Sequence, residues 1–269
     1  MAGCACGGHH AAPARIAAGA EILLARPLVA LTGTLTCRDM DQMLLALDLL
    51  PEHVAQSRAE PGNLRFDLHQ QEDPLLWQLD ELFADAEAFT RHQNRTAASR
   101  WGKDSHEMRR DYRRTEALPR LRLEHPQDHA AIHALLTRAF GGEDEAALVR
   151  RLRLDGDLAL SLVADAAGCI VGHVALSGIQ AAGPALALAP VAVHPAVRRR
   201  GIGAALVRAA LDAFPGHSII VLGDPAYYTR FGFTPVDLAS PHAGPHLMAC
   251  GPALPQGSTI RHARAFAAP

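Results

Sequence analysis

The chain has 269 residues, of which 49% are hydrophobic and 20% charged, and its formal net charge is −2. This length and apolar content are enough for the cores of two domains and exclude a disordered chain. The near-neutral charge argues against a protein whose main role is non-specific binding to nucleic acid, because that role needs a broad basic surface.

The numbers and positions of the cysteines and lysines indicate the cellular compartment and exclude some kinds of catalysis. The five cysteines are scattered and odd in number, which is not a disulfide framework and favours a reducing compartment. The most apolar early stretch is interrupted by Glu21, Arg26 and Pro27, so we expect no membrane span and a cytoplasmic protein. Because Lys103 is the single lysine and no P-loop motif is present, Schiff-base catalysis and P-loop nucleotide binding are close to excluded.

The first residues, "CACGGHH", place Cys4, Cys6, His9 and His10 close together. Thiolates and imidazoles are ligands of zinc and copper, which makes metal binding one interpretation. Their spacing is not a standard finger pattern, however, and the flanking glycines and alanines are typical of a tail. We therefore predict a flexible tail over residues 1–26 and assign no metal site.

Residues 27–117 are predicted to form a first domain. "LVALTGTLTC" alternates like a half-buried strand, and Met40, Met43, Leu44 and Leu47 then follow at helical spacing. Next come strands at "LRFDLHQQ" and "LLWQLDELFA", a helix at "DAEAFTRHQNRTAASRWG" and a basic strand at "MRRDYRRTE". This β-α-β-β-α-β order predicts an α+β domain of ferredoxin-like topology.

The chain resembles the antibiotic biosynthesis monooxygenase (ABM) family over about residues 27–115, through Gly62, Glu81 and the pattern from Ala88 to His92. The resemblance implies a dimeric α+β barrel type of fold, and therefore a homodimer through this domain. Some members oxidise quinol-like aromatics without a cofactor, and some degrade haem. On this basis His92 is the catalytic candidate, with Trp101 or Trp77 as pocket walls. The alternative is a structural histidine and two core tryptophans.

Residues 118–269 are predicted to form a second α+β domain. A strand from about Arg120 is followed by a helix with Ile132, Leu135 and Leu136 on one face, and by the helix "DEAALVRRLRLDG". Strands at "LALSLVADAAG", "CIVGHVALSGI" and "ALALAPVAVHP" precede a helix over about 201–214. The strand "SIIVLGD", the short helix "PAYYTRFG" and further edge strands complete a mixed sheet.

The segment "AVRRRG" leads directly into the helix "IGAALVRAAL". The first N–H groups of a helix are unpaired and the helix dipole favours anions there. Gly201 and Gly203 would let a diphosphate approach the backbone, and the arginines could pair with another phosphate. A Rossmann turn fits poorly, because Leu206 stands at the place of the third glycine. A solvated turn is the other alternative.

"RRRGIG", together with "LGDPAYYTRFGF" further on, resembles the GNAT superfamily of N-acetyltransferases over residues 121–266. The resemblance implies acetyl-CoA as cosubstrate and an amine of a small molecule or protein as acceptor. It places the pantetheine arm on the backbone of the strand before the loop, and the pyrophosphate on the loop. The implied cofactor-binding residues are Val191, Ala192, Val193, Arg198, Arg199, Arg200, Gly201, Ile202, Gly203 and Ala204.

The resemblance also implies that Tyr228, four residues before Gly232-Phe233, is the acid that protonates the departing thiolate. The strand before the loop has no carboxylate, so the base stays open between Glu143, His173 and a relay of water. We predict an acetyl-CoA-dependent N-acetyltransferase with an ABM-like dimerisation or ligand domain. The alternatives are a monooxygenase acting through the N-terminal domain and a non-catalytic sensor of CoA.

Overall fold

The computed structural model describes residues 19–267. In this part of the chain the N-terminal elements are β1 (Leu28–Thr36), α1 (Met40–Ala59), β2 (Asn63–Gln70), β3 (Leu76–Phe83), α2 (Ala86–Ala98), α3 (Arg100–Asp104) and β4 (Arg109–Ala117). The strands form an antiparallel sheet in the order β2-β3-β1-β4. This arrangement confirms the predicted ferredoxin-like order of elements.

The second helix of this domain differs from the prediction of one continuous helix. It breaks at Ser99, whose backbone is extended, with φ −74° and ψ 165°. The Ser99 hydroxyl accepts a hydrogen bond from the Gly102 N–H at 3.1 Å and so starts α3. The break turns Trp101 into the apolar cluster that also contains Leu35, Met43 and Leu49.

The C-terminal elements are β5 (Arg120–Leu123), α4 (His129–Phe140), α5 (Asp144–Leu154), β6 (Leu158–Ala166), β7 (Cys169–Gln180), β8 (Ala185–Val193), α6 (Ile202–Asp212), β9 (Ser218–Leu222), α7 (Pro225–Tyr228), β10 (Thr234–Pro235), β11 (Leu247–Cys250) and β12 (Arg261–His262). Within the described residues, the sheet order is β10-β11-β9-β8-β7-β6-β5, and β12 pairs with β7. The neighbours β8 and β9 are parallel. The predicted mixed α+β sheet is confirmed.

The helices cover both faces of this second sheet. Helix α6 packs Ile202, Leu206 and Val207 into the largest apolar cluster. Helices α4 and α5 pack on the opposite face, where Leu136 and Val149 belong to a separate cluster. The strands are therefore buried on both sides, as their continuous apolar runs require.

Residues 19–24 belong to the second sheet rather than to a free tail. Glu21 forms an isolated antiparallel bridge with Arg120, and the Ile22 N–H donates to the Pro119 carbonyl at 2.7 Å. Ile22 and Leu24 are buried in the same apolar cluster as α6. The predicted tail up to residue 26 is therefore corrected for this segment, because its alternating apolar side chains have a core to enter.

The two domains share this cluster and are joined by hydrogen bonds. Leu82 and Phe83 of β3 lie in it together with Leu206 of α6. The Arg65 guanidinium donates to the carbonyl of Ala167 in the β6–β7 turn at 2.6 Å. The packing between the domains is therefore continuous with the core of the C-terminal domain.

Cys4, Cys6, His9 and His10 lie outside the described residues. Between residues 19 and 267, no three His, Cys, Asp or Glu side chains are grouped so as to hold a metal ion. In the same range, the helices are too short or too polar to cross a bilayer. Cys37, Cys169 and Cys250 are free thiols.

Candidate functional site

The C-terminal sheet opens where β8 and β9 separate. These parallel strands pair only from Ala185 with Ser218 to Ala187 with Ile220. β8 continues to pair with β7 as far as Val193, so the edge of β8 that faces β9 is left open. A cleft of about 600 Å³ lies at this opening. Open strand edges offer backbone donors and acceptors to an extended ligand.

Strand alternation decides which backbone groups face the cleft. The His194 N–H donates to the Val171 carbonyl on β7 at 2.9 Å. Because successive residues of a strand turn their N–H and C=O groups to opposite sides, those of Val193 and Val191 point away from β7. They face the opening, as the family resemblance implies for a pantetheine arm.

The loop between β8 and α6 has an unusual backbone. A 3₁₀ turn over Pro195–Val197 follows His194, and Arg199 and Gly201 then adopt φ values of 60° and 93°. The left-handed region is routine for glycine but unfavourable for arginine. Helix α6 begins at Ile202, so its unpaired N–H groups lie at the end of the cleft. This geometry suits a bound anion.

The three arginines of the loop have three different roles. The Arg198 guanidinium donates to the carbonyl of Ala139, near the end of α4. Arg200 turns to the N-terminal domain, where it donates to the Ala84 carbonyl at 2.5 Å and to Asp85 at 2.9 Å. Over residues 19–267, the exposed Arg199 side chain makes no hydrogen bond or ion pair. Arg199 is thus the arginine available to a ligand.

The cleft contains most of the residues that the sequence predicts for the cofactor. The residues that were predicted to bind the cofactor and that line the cleft are Val191, Ala192, Val193, Arg198, Arg199, Gly201, Gly203 and Ala204. Ile202 instead enters the core, with 1% of its surface exposed. The side chain of Arg200 points away from the cleft, so only its backbone remains a candidate for the predicted contact.

Several side chains of the cleft were not predicted from the sequence. These are Ala139, Phe140, Asp224, Tyr227 and Arg230. Tyr227, the neighbour of the predicted Tyr228, lines the cleft as well. A Cβ atom at Gly203 would lie 3.0 Å from the Tyr227 hydroxyl. The doubled tyrosine in "PAYY" was the available signal for this second aromatic wall.

Tyr228 lies against the strand end, where its ring fills the space that a Cβ atom at Gly223 would need. Its ring also makes an edge contact with Phe233, at 5.5 Å between centroids. Burial, and to a lesser degree the neighbouring Tyr227, raises the pKa of Tyr228 to about 12. The hydroxyl is therefore protonated at neutral pH and can donate a proton.

Two of the base candidates lie away from the cleft. Glu143 is exposed in the α4–α5 loop, where its carboxylate is 2.9 Å from His133 and accepts from Thr137 at 3.0 Å. His173 is fully buried, and its Nε2 lies 2.9 Å from the Ser161 hydroxyl. Burial lowers the pKa of His173 to about 4. Among the described residues, the carboxylate that does line the cleft is Asp224.

His92 is the centre of a buried polar cluster in the N-terminal domain. Its Nδ1 is 3.0 Å from Glu60, and its Nε2 is 3.7 Å from Glu81. Glu60 also accepts from Arg95 at 2.5 Å. Burial lowers the pKa of His92 against the opposing effect of Glu60, whereas burial and Glu60 together raise the pKa of Glu81 to about 8. His92 is therefore part of a buried network of polar side chains and does not lie on an open surface.

A cavity of about 290 Å³ lies beside this cluster. His53 and Trp101 line it and stack on each other, with ring centroids 5.5 Å apart. Trp101 thus lies where a pocket wall was predicted, whereas Trp77 is a core residue. His92 does not line the cavity but lies 6.0 Å behind His53, between ring centroids. The sequence analysis missed His53, which carries no motif.

Comparison with known proteins agrees with both domains. The model of the acetyltransferase (GNAT) family matches residues 129–233, and that of the antibiotic biosynthesis monooxygenase family matches residues 41–104.

Two similar relatives from Escherichia coli are named as uncharacterized N-acetyltransferases. YhbS is 43% identical over 129 residues, which are 45% of this chain and 75% of the relative. YjhQ is 36% identical over 118 residues, which are 40% of this chain and 65% of the relative.

A crystal structure of YhbS in complex with CoA is 32% identical and superposes with a TM-score of 0.52. It covers 56% of this chain and 92% of its own. Its GNAT fold corresponds to the C-terminal domain, in which the open strand edge meets the start of α6. The chain belongs to the GNAT family of N-acetyltransferases through this domain, and residues 41–104, ahead of it, match the model of the antibiotic biosynthesis monooxygenase family.

Proposed function

We propose that this protein transfers the acetyl group of acetyl-CoA to an amine of a small molecule or protein, in the cleft between β8 and β9. The observation that carries the proposal is the meeting of three features there. An open strand edge at Val191 and Val193, the start of α6 and the protonated Tyr228 hydroxyl all border one cavity. The CoA-bound structure of YhbS supports it.

Acetyl-CoA would lie along the cleft with its arm on β8. The backbone of Val191 and Val193 would extend the sheet onto the pantetheine amides, and the N–H groups of residues 201–204 would bind the diphosphate. Arg198, Arg199 and Arg230 make the walls of the cleft positive. This local charge favours an anionic cofactor although the whole chain is slightly acidic.

In the reaction, the amine nitrogen attacks the thioester carbonyl carbon. The C–N bond forms, the C–S bond breaks, and the thiolate takes the proton of the Tyr228 hydroxyl. The amine must lose a proton as it attacks, and we assign its removal to Asp224 through a water molecule, because this carboxylate lines the cleft. Proton transfers of this kind contribute rate factors of about 10² to 10⁴ each.

The first experiment is calorimetric titration with acetyl-CoA, followed by assay of free thiol release with a panel of amines and peptides. Tyr228→Phe is expected to lower kcat by about a hundredfold with little change in acetyl-CoA affinity, because it removes only the proton donor. Lack of acetyl-CoA binding by the wild type overturns the proposal. Binding without turnover of any amine favours the alternative of a CoA sensor.

Substitutions of Asp224 and Glu143 distinguish between these two carboxylates as the candidate base. Asp224→Asn keeps an oxygen that can cap α7 through the Ala226 N–H but removes the base. We expect kcat to fall about tenfold or more, whereas Glu143→Gln leaves it unchanged. The reverse result would assign the base to the α4–α5 loop.

We further propose that the protein is a homodimer through the N-terminal sheet. Asp67, Asp80, Thr32 and Arg113 lie side by side across the face turned away from the helices. A second copy related by a two-fold axis would place its arginine edge against this acidic edge. Light scattering should give a dimer for the wild type and a monomer for Arg113→Asp. A monomeric wild type contradicts the proposal.

The cavity beside His53 supports a second activity, the cofactor-free oxidation of a quinol-like aromatic. The stacked His53 and Trp101 rings give it a flat aromatic wall. Burial, and then the charges of Arg95 and His92, lowers the pKa of His53 to about 3, so its ring is neutral at physiological pH and can stack on an aromatic substrate. Oxygen uptake with quinols should fall in His53→Ala. Equal uptake by the variant and wild type would remove His53 from this chemistry.

The free thiols of Cys37, Cys169 and Cys250 fit a reducing compartment, and we place the reaction in the cytoplasm. Fractionation of cells that make the full chain tests this placement.

A further inference from the structure

The loop between β8 and α6, residues 194–201, is called the diphosphate loop below. Two of its own arginines hold it, one from each side. Arg198 anchors one side on the carbonyl of Ala139 in α4. Arg200 anchors the other side on the N-terminal domain, through the Ala84 carbonyl and the Asp85 carboxylate. The residue between these anchors, Arg199, has a φ of 60°.

This conformation needs support from its surroundings. A left-handed backbone is unfavourable for a non-glycine residue, so such residues persist only where the surroundings impose them. Gly201 adds a second left-handed residue just after Arg200. Arg200, whose guanidinium is bound to the N-terminal domain, thus lies between the two left-handed residues of the loop.

The anchor in the N-terminal domain is itself rigid. Asp85 is the N-cap of α2, and its Oδ1 accepts from the Ala88 N–H at 2.9 Å, while its Oδ2 accepts from Arg200. Arg26 lies 3.8 Å from the same Oδ2. The side chains of Arg200 and Asp85 are only 14% and 13% exposed, so solvent and salt screen the pair weakly.

We infer that the N-terminal domain is a positioning element for the acetyl-CoA site, and that Asp85 and Arg200 hold the diphosphate loop in its binding conformation. The inference rests on the proposed function of the cleft. Neither Asp85 nor Arg200 lines the cleft. Loss of the pair lets Arg199 relax to an ordinary φ, and the loop N–H groups then no longer converge on the phosphates.

Asp85→Ser and Arg200→Met test this in the full-length protein. Serine retains the N-cap of α2 but loses the charge that pairs with Arg200. Each variant is expected to raise the Kd for acetyl-CoA roughly tenfold, because the competent loop becomes a minor conformer. The double variant should bind acetyl-CoA no more weakly than Arg200→Met alone, since Arg200→Met already removes the bond to Asp85 together with the bond to the Ala84 carbonyl. Where turnover is measured, KM for acetyl-CoA rises and kcat does not.

Arg65→Met is the matched control. Arg65 also joins the domains through one hydrogen bond, but it contacts the β6–β7 turn and not the loop. This variant should lower the melting temperature without changing the Kd. Arg200→Lys, which keeps the charge, should give an intermediate Kd even if Arg200→Met folds poorly.

The possible failures are distinguishable. A wild type that does not bind acetyl-CoA overturns the proposed function, and this inference with it. A wild type that binds, with Asp85→Ser and Arg200→Met variants that are folded and bind equally well, overturns the positioning role alone. Variants that lose stability to the same degree as Arg65→Met without a change in Kd also overturn it.

Discussion

A Cβ atom at position 203 would lie 3.0 Å from the Tyr227 hydroxyl and 3.3 Å from the Val193 side chain. Both distances are shorter than ordinary van der Waals contacts. The absence of a side chain at Gly203 therefore keeps open the part of the cleft where α6 begins. Helix propensity alone would favour alanine at this position by about 1 kcal/mol.

Gly203→Ala should therefore separate binding from stability. We expect acetyl-CoA affinity to fall about tenfold or more, because the added methyl group blocks the close approach of the diphosphate to the backbone. The melting temperature should change little, because the gain in helix propensity is offset by the close contacts of the methyl group with Tyr227 and Val193. Gly216→Ala is the control, since nothing within 4 Å would meet its Cβ atom. Wild-type affinity in the Gly203→Ala variant would show that the cofactor does not approach here.

Glu81 is buried and holds its proton more tightly in the folded protein than in the unfolded chain. Its pKa is raised from about 4.5 to about 8, chiefly by burial. Between these two pH values the folded state binds more protons, so the contribution of Glu81 to stability falls as pH rises through this window. Burial of the neutral carboxylic acid costs little free energy. Burial of the ionised carboxylate, which forms at high pH, costs much more and so destabilises the folded state.

Glu81→Gln should remove this pH dependence. Relative to the wild type, the variant is expected to gain on the order of 2–4 kcal/mol in the free energy of unfolding between pH 5 and pH 9. Urea unfolding at the two pH values measures the difference, and the exposed Glu52→Gln is the control. A constant difference between wild type and Glu81→Gln would mean that Glu81 is already ionised in the folded state.

At this scale the sequence predicted which residues line the cleft better than what each of their side chains contacts. The glycines and the strand before them carry local signals, and Gly203, Val191 and Val193 lie where those signals placed them. Arg200 was predicted among the cofactor residues, yet its side chain pairs with Asp85, 115 positions earlier. A contact at that separation leaves no pattern in the neighbouring sequence.

The turn between β6 and β7 is an element under backbone strain. Ala167 and Gly168 adopt φ values of 49° and 79°, as in a two-residue turn of type I′. Such turns favour Asn-Gly, because asparagine tolerates the left-handed region better than alanine does. The Ala167 carbonyl also receives the hydrogen bond of Arg65, so the turn belongs to the domain interface.

Ala167→Asn is expected to raise the free energy of unfolding by about 0.5–1 kcal/mol. The position is exposed and its carbonyl keeps the bond to Arg65, so no packing is lost. Thermal unfolding compares it with Gly168→Ala, which should destabilise because of its positive φ and a Cβ atom only 3.2 Å from Arg65. A fall in stability for Ala167→Asn would contradict the assignment of strain to this residue.

Most helices and strands could be predicted from local periodicity. Three details could not. The break at Ser99 depends on one cap, β11 inserts between β9 and β10, and residues 19–24 join β5 from the far side of a whole domain. Strand order and long-range pairing follow from packing of the complete chain, which short windows of sequence do not contain.

For the whole molecule, the shared apolar cluster predicts that the two domains unfold together. Both tryptophans, Trp77 and Trp101, belong to the N-terminal domain, so tryptophan fluorescence reports on that domain alone. Leu82 and Phe83 of the same domain are buried against the C-terminal core. Exposing one surface therefore exposes the other.

Acetyl-CoA should consequently raise the melting temperature measured by tryptophan fluorescence, although its site lies in the other domain. At a hundredfold excess over Kd, the stabilisation is about 2.7 kcal/mol. Phe83→Ala should open the shared cluster, so acetyl-CoA should stabilise the N-terminal domain of this variant less than that of the wild type. A fluorescence transition that stays fixed while calorimetry shows a second, shifted transition would mean that the domains unfold independently.

The bond between the Ile22 N–H and the Pro119 carbonyl brings together the two ends of the N-terminal domain. Over the described residues, the path of the chain is thus that of an insertion: residues 19–24 lie on the edge of one sheet, and the chain then builds a separate domain and returns to the same edge. Such a layout allows the inserted domain to be exchanged for another with similarly spaced ends. The acetyltransferase sheet would keep both of its edge segments in place.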